Sequence, residues 1–457
     1  MRCKELVLLV SAVITGQVNA AISEGLVPDD SKFASTYSSH QDKAIAITNA
    51  NVLTGTDEQL SGATVLFKNG KIVAIGNTVR IPDGAEVIDG AGRWVTPGIV
   101  DPHSHIGIFS APRVPANMDL NEKTSPNTAD KWVEHSVWPQ APGFERAREA
   151  GVTTMMILPG SANLYGGRTV TLKNVEATNI QDMKFPQAPY GLKMACGENP
   201  LKVYGGKGES PMTRMGLVAD FRSAWLKAVE YKDTWDAYYS DKEAGKDVSP
   251  PERNLRLETM AGALRGDILT HLHCYRVDEV TELVNMSKEF GFHIDVLHHG
   301  SEGYKMTKLL KDENIAVSTW SNRWGFKLEM FDGIEENAAM LEHTGVLTSL
   351  HSDAAELSQR MNVEAAIAMS ASLRAGIPIS KAEAISWITA NPAKQIGIFD
   401  KTGSLEKGKM ADIVLWSGDP FSIYTKPDSV FIDGVEVYNR SHPADKPASD
   451  FELGNKK

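Results

Sequence analysis

Two histidines one residue apart close a short apolar run, Val95-Thr96-Pro97-Gly98-Ile99-Val100-Asp101-Pro102-His103-Ser104-His105. On a β-strand the side chains at i and i+2 leave the same face, so His103 and His105 can reach one metal ion from the strand's carboxyl end. Other strand-like runs end in the same residue types: Thr270-His271-Leu272-His273-Cys274, Val296-Leu297-His298-His299 and Thr348-Ser349-Leu350-His351-Ser352-Asp353. A lone strand histidine is ordinarily a core or surface residue. Four strand ends in the order His-x-His, His, His, Asp instead make a donor set for a metal centre. Spacing alone leaves open His271 or His273, and His298 or His299.

Such donors need strands that end together, and the chain supplies them. Strand-like runs at Gly98–His105, Val152–Leu158, Thr169–Lys173, Gly191–Cys196, Asp267–His273, His293–His299, Ile315–Thr319 and Val346–His351 alternate with helical patterns. That alternation predicts an α/β fold, a (β/α)8 TIM barrel over residues 96–400. Short β-branched runs punctuated by Asn69-Gly70 and Asp433-Gly434 lie at both ends of the chain. Each block is too small to stand alone, so residues 44–95 with 401–445 are expected to form one small composite β-sandwich. Residues 199–260 interrupt the alternation with tryptophan- and tyrosine-rich helical segments. Their place after a strand end suits a lid, a helical decoration or a contact in a homo-oligomer.

With 457 residues, 42% of them hydrophobic, the chain can bury a barrel-sized core. A net charge of −11 argues against a nucleic-acid partner, which needs clustered Lys and Arg. Residues 1–20 pair Arg2 and Lys4 with an apolar stretch too short for a stable membrane span and end in Val18-Asn19-Ala20. This predicts a cleaved signal peptide and export, to a bacterial periplasm or beyond, with residues 21–43 a polar N-terminal segment. Cys3 lies in that leader. Cys196 and Cys274 sit beside candidate donors on different strands, so free buried thiols are expected.

The order of the histidine and aspartate strand ends resembles the amidohydrolase superfamily, as do Asn391-Pro392-Ala393-Lys394 and the return Gly403-Ser404-Leu405-Glu406-Lys407-Gly408-Lys409-Met410-Ala411-Asp412. The likeness runs through nearly the whole mature chain and points to the imidazolonepropionase-like, prolidase-like branch. It implies that His103, His105 and Asp353 hold one metal ion and that His273 and His299 hold a second. It also implies a bridging carboxylate to offset cation repulsion. Lys193, in Gly191-Leu192-Lys193-Met194, resembles the lysine that the family carboxylates, and Glu198 is the competing bridge. Between Leu192 and Met194 an unmodified ammonium would point into a barrel core at high cost, which favours Lys193. His271, on the same strand face as His273, would support the site from a deeper layer.

One or two Zn2+ ions would bring the pKa of water toward about 7, with Asp353 as general acid and base. The expected reaction is hydrolysis of an amide, dipeptide or cyclic amide. The alternatives are a deaminase of the same superfamily and a non-catalytic barrel. Tyr275, Arg276 and Tyr304, each just past a donor strand, are candidate contacts for a small or peptide-like substrate, with Arg276 suited to clamp a carboxylate.

Overall fold

The structure, a computed structural model, describes residues 33–39, 41–110 and 113–442; the expected leader, residues 1–20, lies outside them. Five strands open the chain: β1 (Ile45–Leu53), β2 (Gln59–Lys68), β3 (Lys71–Gly76), β4 (Glu86–Asp89) and β5 (Trp94–Pro97). The central strands are β6 (Ile99–Ser104), β7 (Val152–Ile157), β8 (Tyr165–Arg168), β9 (Val170–Lys173), β10 (Gly191–Ala195), β11 (Leu269–Cys274), β12 (Val296–His299), β13 (Ala316–Thr319) and β14 (Thr348–Leu350). Three more, β15 (Ile413–Trp416), β16 (Pro427–Ile432) and β17 (Val435–Asn439), close it.

The two terminal blocks share one hydrogen-bonded sheet, ordered β17-β16-β15-β5-β1-β2-β3 with β4 paired to β1. β5 is the seam, antiparallel to β15 through Val95↔Leu415 and Ile413↔Pro97, and parallel to β1. The Asn69-Gly70 and Asp433-Gly434 turns hold positive φ at both residues, the backbone a two-residue hairpin requires. Ile47, Val65, Phe67, Val95, Ile413 and Phe431 bury their side chains into a common core. Immediately after β5, Gly98 lets β6 lie against β7: a Cβ there would stand 2.1 Å from the Thr153 hydroxyl.

The central strands form a six-stranded sheet, β14-β13-β12-β11-β10-β8, and a three-stranded one, β6-β7-β9. β10 to β14 run parallel in unbroken neighbour order, and β6 is parallel to β7. The run expected as one parallel strand at Thr169–Lys173 is different. It forms β9, antiparallel to β7, and the preceding β8 is antiparallel to β10. No helix lies between β7 and β9 to carry a parallel crossover.

Helix α1 (Pro142–Glu149) precedes β7, and the interrupting segment contains α2 (Glu198–Gly205), α3 (Arg214–Glu243) and α4 (Leu255–Arg265) before β11, with α5 (Val277–Phe290) after it. On α3, Leu217, Phe221, Trp225, Ala228 and Trp235 make one buried stripe, and Trp225 stacks on Phe292 at 4.1 Å. This long helix therefore packs into the protein's side, and the shorter α2 faces the strand ends. None of the helices among the described residues is long and apolar enough to cross a membrane.

The cysteines require a correction. Cys196 and Cys274 form a disulfide, with Cα atoms 5.2 Å apart. β10 and β11 are neighbours in register, Ala195↔His273, so the two cysteines reach the same strand end together.

A buried ionic cluster ties the terminal sheet to the central strands. Lys173 Nζ lies 2.9 Å from both Asp412 oxygens and 3.1 Å from Asp433, while Thr402 and Tyr37 donate to the same carboxylates. Lys173→Met would leave two carboxylates buried without their cation. We expect a loss of about 3–5 kcal/mol in chemical denaturation, and an unchanged midpoint would refute that role.

Candidate active site

β6 delivers His103 at its end and His105 just beyond it, on the side where β14 delivers Asp353. His103 Nε2 and His105 Nε2 lie 3.3 and 3.1 Å from the same Asp353 oxygen. His105 Nδ1 is 2.8 Å from the Leu158 carbonyl, which only accepts, so that nitrogen carries the proton and Nε2 presents its lone pair. The Nε2 of His299 and Nδ1 of His273 converge at 2.8 Å from β12 and β11. Lys193, buried on β10, brings Nζ within 3.1 Å of His103 Nε2. All six expected ligand positions thus lie at adjoining strand ends.

Of the pairs that spacing left open, His273 and His299 face each other, while His271 and His298 are joined to one another. His298 joins His103 at 3.0 Å through its Nδ1 and His271 at 2.9 Å through its Nε2. A ligand histidine usually has its second nitrogen fixed by a carboxylate or carbonyl. For His103 that task falls to another imidazole.

Burial dominates the electrostatics. It holds His103, His273 and His299 well below the usual histidine pKa, with neighbouring Lys193 and other imidazoles adding to the effect. Burial likewise pushes the Lys193 ammonium down to about 7, against the pull of Asp353. For Asp353 burial acts upward, but the His105 hydrogen bond and the surrounding bases outweigh it and the net shift is downward. The site therefore presents neutral imidazoles and an ionised carboxylate, the protonation states that bind metal. Asp353 and His299 also hold φ at 58° and 73°, a region that costs a non-glycine residue energy.

The remaining sequence candidates fare unequally. Glu198 opens α2 and faces Lys327 at 3.7 Å. Arg276 is half-buried and paired with Asp278 at 2.8 Å, and the Tyr304 hydroxyl donates to the Asp332 carbonyl. Tyr275 is at the site, stacked on His299 with ring centres 5.0 Å apart and edge-on to His273. Sequence reasoning assigned no role to Trp320, whose ring stacks on His299 at 4.2 Å, or to His351. The signal for His351 was available, since it stands two residues before Asp353 on a strand end. Beside His105 and Asp353 opens a cavity of about 520 Å³, whose wall includes Phe109, Arg113, Asn121, Lys123, Ser161 and Lys202.

These donors fit a divalent ion. Ligand atoms of His103, His105 and Asp353, and separately of His103, His299 and His351, lie within 4.8 Å of one another. The third such group among the described residues, Cys196, Cys274 and Glu279, has its sulfurs committed to the disulfide.

Comparison with known proteins agrees with this geometry. Residues 257–437 match the Amidohydrolase family model. The chain is 31% identical over 404 residues to amidohydrolase tasK of Hapsidospora irregularis, an alignment covering 84% of this chain but 40% of that protein. It is 24% identical over 395 residues to the 5'-deoxyadenosine deaminase of Methanocaldococcus jannaschii, covering 79% and 84% of the two chains. For the imidazolonepropionase of Mesorhizobium japonicum the figure is 24% over 398 residues, covering 77% and 85%. Among solved structures, an amidohydrolase from Thermotoga maritima MSB8 superposes with a TM-score of 0.79 at 36% identity, covering 87% of this chain and all of that one.

The imidazole chain yields two predictions. His298→Ala removes the partner of His103, and metal affinity measured by titration should fall about 10–100-fold; wild-type affinity would refute the support role. The second concerns pH. The buried histidines titrate well below 6.5 when folded and near about 6.5 when unfolded, so on acidification the unfolded chain takes up protons that the native one refuses. Stability of the metal-stripped protein should therefore be whole above pH about 7 and fall as pH drops from about 6.5 toward 5. Denaturation midpoints that stay flat over that window would contradict it.

Proposed function

This chain belongs to the amidohydrolase family, and on that premise we propose that it is a metal-dependent hydrolase cleaving the carbon–nitrogen bond of an amide, dipeptide or cyclic amide. The observation that carries the reading is the meeting of His103, His105 and Asp353 with Lys193 and the His273–His299 pair beside a cavity of about 520 Å³. His103, His105 and Asp353 would hold one divalent ion, Zn2+ being suited to this nitrogen-rich set, and His273 with His299 a second. Ions bound there would supply Lewis acidity and a water that ionises near neutral pH. Asp353 orients the attacking water, accepts its proton and returns that proton to the departing nitrogen. Its closeness to both β6 histidines, 3.1 and 3.3 Å, supports that role for the carboxylate.

Lys193 is the proposed bridge, and the engagement of Glu198 with Lys327 supports that choice. Its neutral amine adds to carbon dioxide, forming a nitrogen–carbon bond and releasing one proton, and the resulting carbamate supplies the two oxygens. The fold reading that accompanies this is a (β/α)8 barrel over residues 96–400 and a β-sandwich from 44–95 with 401–445, which the parallel order β10 to β14 and the shared terminal sheet support. We also retain export as the proposed localisation, since a disulfide suits an oxidising compartment.

Arg113, Lys123 and Lys202 line the cavity with no ion-pair partner among the described residues, which favours a substrate carrying a carboxylate and reassigns the clamp from Arg276. The similarity to the M. jannaschii deaminase makes deamination the second reading. The two are separated by products: chelator-sensitive release of an amino acid without ammonia supports the first, and ammonia from a nucleoside or heterocycle the second. In the first case, Arg113→Met and Lys202→Met should each raise KM for N-acyl amino acids by about tenfold, the cost of one charged hydrogen bond, and leave uncharged amides unaffected. Lys193→Ala should abolish turnover and regain part of it with added short carboxylic acids; a fully active variant would exclude Lys193 as bridge.

A further inference from the structure

We propose that His351 is an additional metal ligand, placed with His103 and His299 around one ion. The proposal rests on the metal reading of this site and extends its ligand set beyond the six positions assigned above.

His351 follows β14 and is 1% exposed, and neither of its ring nitrogens has a hydrogen-bond partner among the described residues. A neutral imidazole always carries one donor and one acceptor, and leaving both unsatisfied in the interior is costly. Other buried histidines of the site escape that cost: His298 uses both nitrogens, and His103 is engaged at both. The His351 ring stands 4.9 Å, centre to centre, from each of His103, His299 and Trp320. Trp320 stacks on His299, whose Nδ1 is also unpaired among the described residues, so His351 faces one imidazole that is itself short of a partner.

Two unsatisfied histidines side by side are what a donor pocket looks like before its cation is added. Ligand atoms of His103, His299 and His351 fall within 4.8 Å of one another, close to the span of ligands that each lie about 2.1 Å from one ion. A third imidazole beside His103 and His299 would tighten binding of that ion and tune it toward nitrogen-preferring metals over Mg2+ or Ca2+.

The test uses the full chain, stripped with chelator and titrated with Zn2+ and Co2+, in wild type, His351→Ala, His351→Gln and the exposed control His442→Ala. We expect both His351 variants to lose affinity for one of two ions by about tenfold or more and to show an altered visible Co2+ spectrum, with the control unchanged. Wild-type affinity and spectrum in either folded His351 variant would overturn the proposal, including the case in which His351 only hydrogen-bonds a water. Should both variants fail to fold, the Co2+-loaded wild type still decides. Paramagnetically shifted imidazole N–H signals should number one more than His103, His105, His273 and His299 provide, and the absence of that extra signal refutes the assignment. A wild type that binds no ion refutes the metal reading of the whole site, an outcome distinct from equal binding by the variants.

Discussion

The donors converge because the end of β14 is bonded back onto β6. The two strands belong to different ladders, and the gap between them is filled by the Trp387 and Ile388 carbonyls, which accept from Leu350 and Val100 respectively. At the site, Ser352 gives Asp101 both its backbone N–H, at 3.1 Å, and its hydroxyl, at 2.5 Å, while the Asp353 N–H donates to the His103 carbonyl at 2.8 Å. Asp101 also accepts from the His103 N–H, so one carboxylate grips both strand ends. This seam places Asp353 within reach of His103 and His105. The chain separation it spans costs little more than a shorter one, because closure entropy grows only logarithmically with loop length.

The seam also explains how strained backbone survives there. Positive φ at Asp353 and His299 persists only where the surroundings leave no alternative, and both residues sit between fixed partners. Burial imposes the rest. Asp101, pushed up to about 7 by desolvation against its Ser352 bonds, accepts three hydrogen bonds that favour its charged form. The imidazoles have mostly one another as partners, so protons among His103, His298 and His271 are distributed along a chain in which each nitrogen's role fixes the next. A ligand lone pair on His103 at one end thereby constrains the tautomer of His271 at the other.

Local patterns made much of this legible. The His-x-His pair and the hairpin turns at Asn69-Gly70 and Asp433-Gly434 rest on alternation and turn chemistry within a few residues, whereas the choice of His273 and His299 rested on the family resemblance. What escaped depended on neighbours in space. The direction of β8 and β9 came from a missing crossover, which periodicity does not report. The disulfide came from the adjacency of β10 and β11, although each cysteine could be placed on its strand. The ion pairs of Arg276 with Asp278 and of Glu198 with Lys327 likewise depend on spatial neighbours. For His351 the sequence offered its place two residues before Asp353, and the unpaired nitrogens emerge only once its surroundings are known.

The same disulfide joins two functions that the fold otherwise keeps apart. Cys274 directly succeeds the donor His273, and Cys196 directly precedes the turn into α2, whose Asn199 reaches Ser161 at 2.8 Å and His273 Nε2 at 3.5 Å. Donors stand on strands locked in ladders, whereas the cavity wall is built from segments beyond the strand ends: Arg113 and Lys123 after β6, Ser161 after β7, Lys202 on α2. Substitution in those segments changes what the cavity accepts without shifting a strand, and the covalent tie between β10 and β11 keeps α2 aimed at the donors while its exposed residues vary. Selection of substrate and assembly of the donor set therefore meet at one rigid joint, so that a change in the first leaves the second in place.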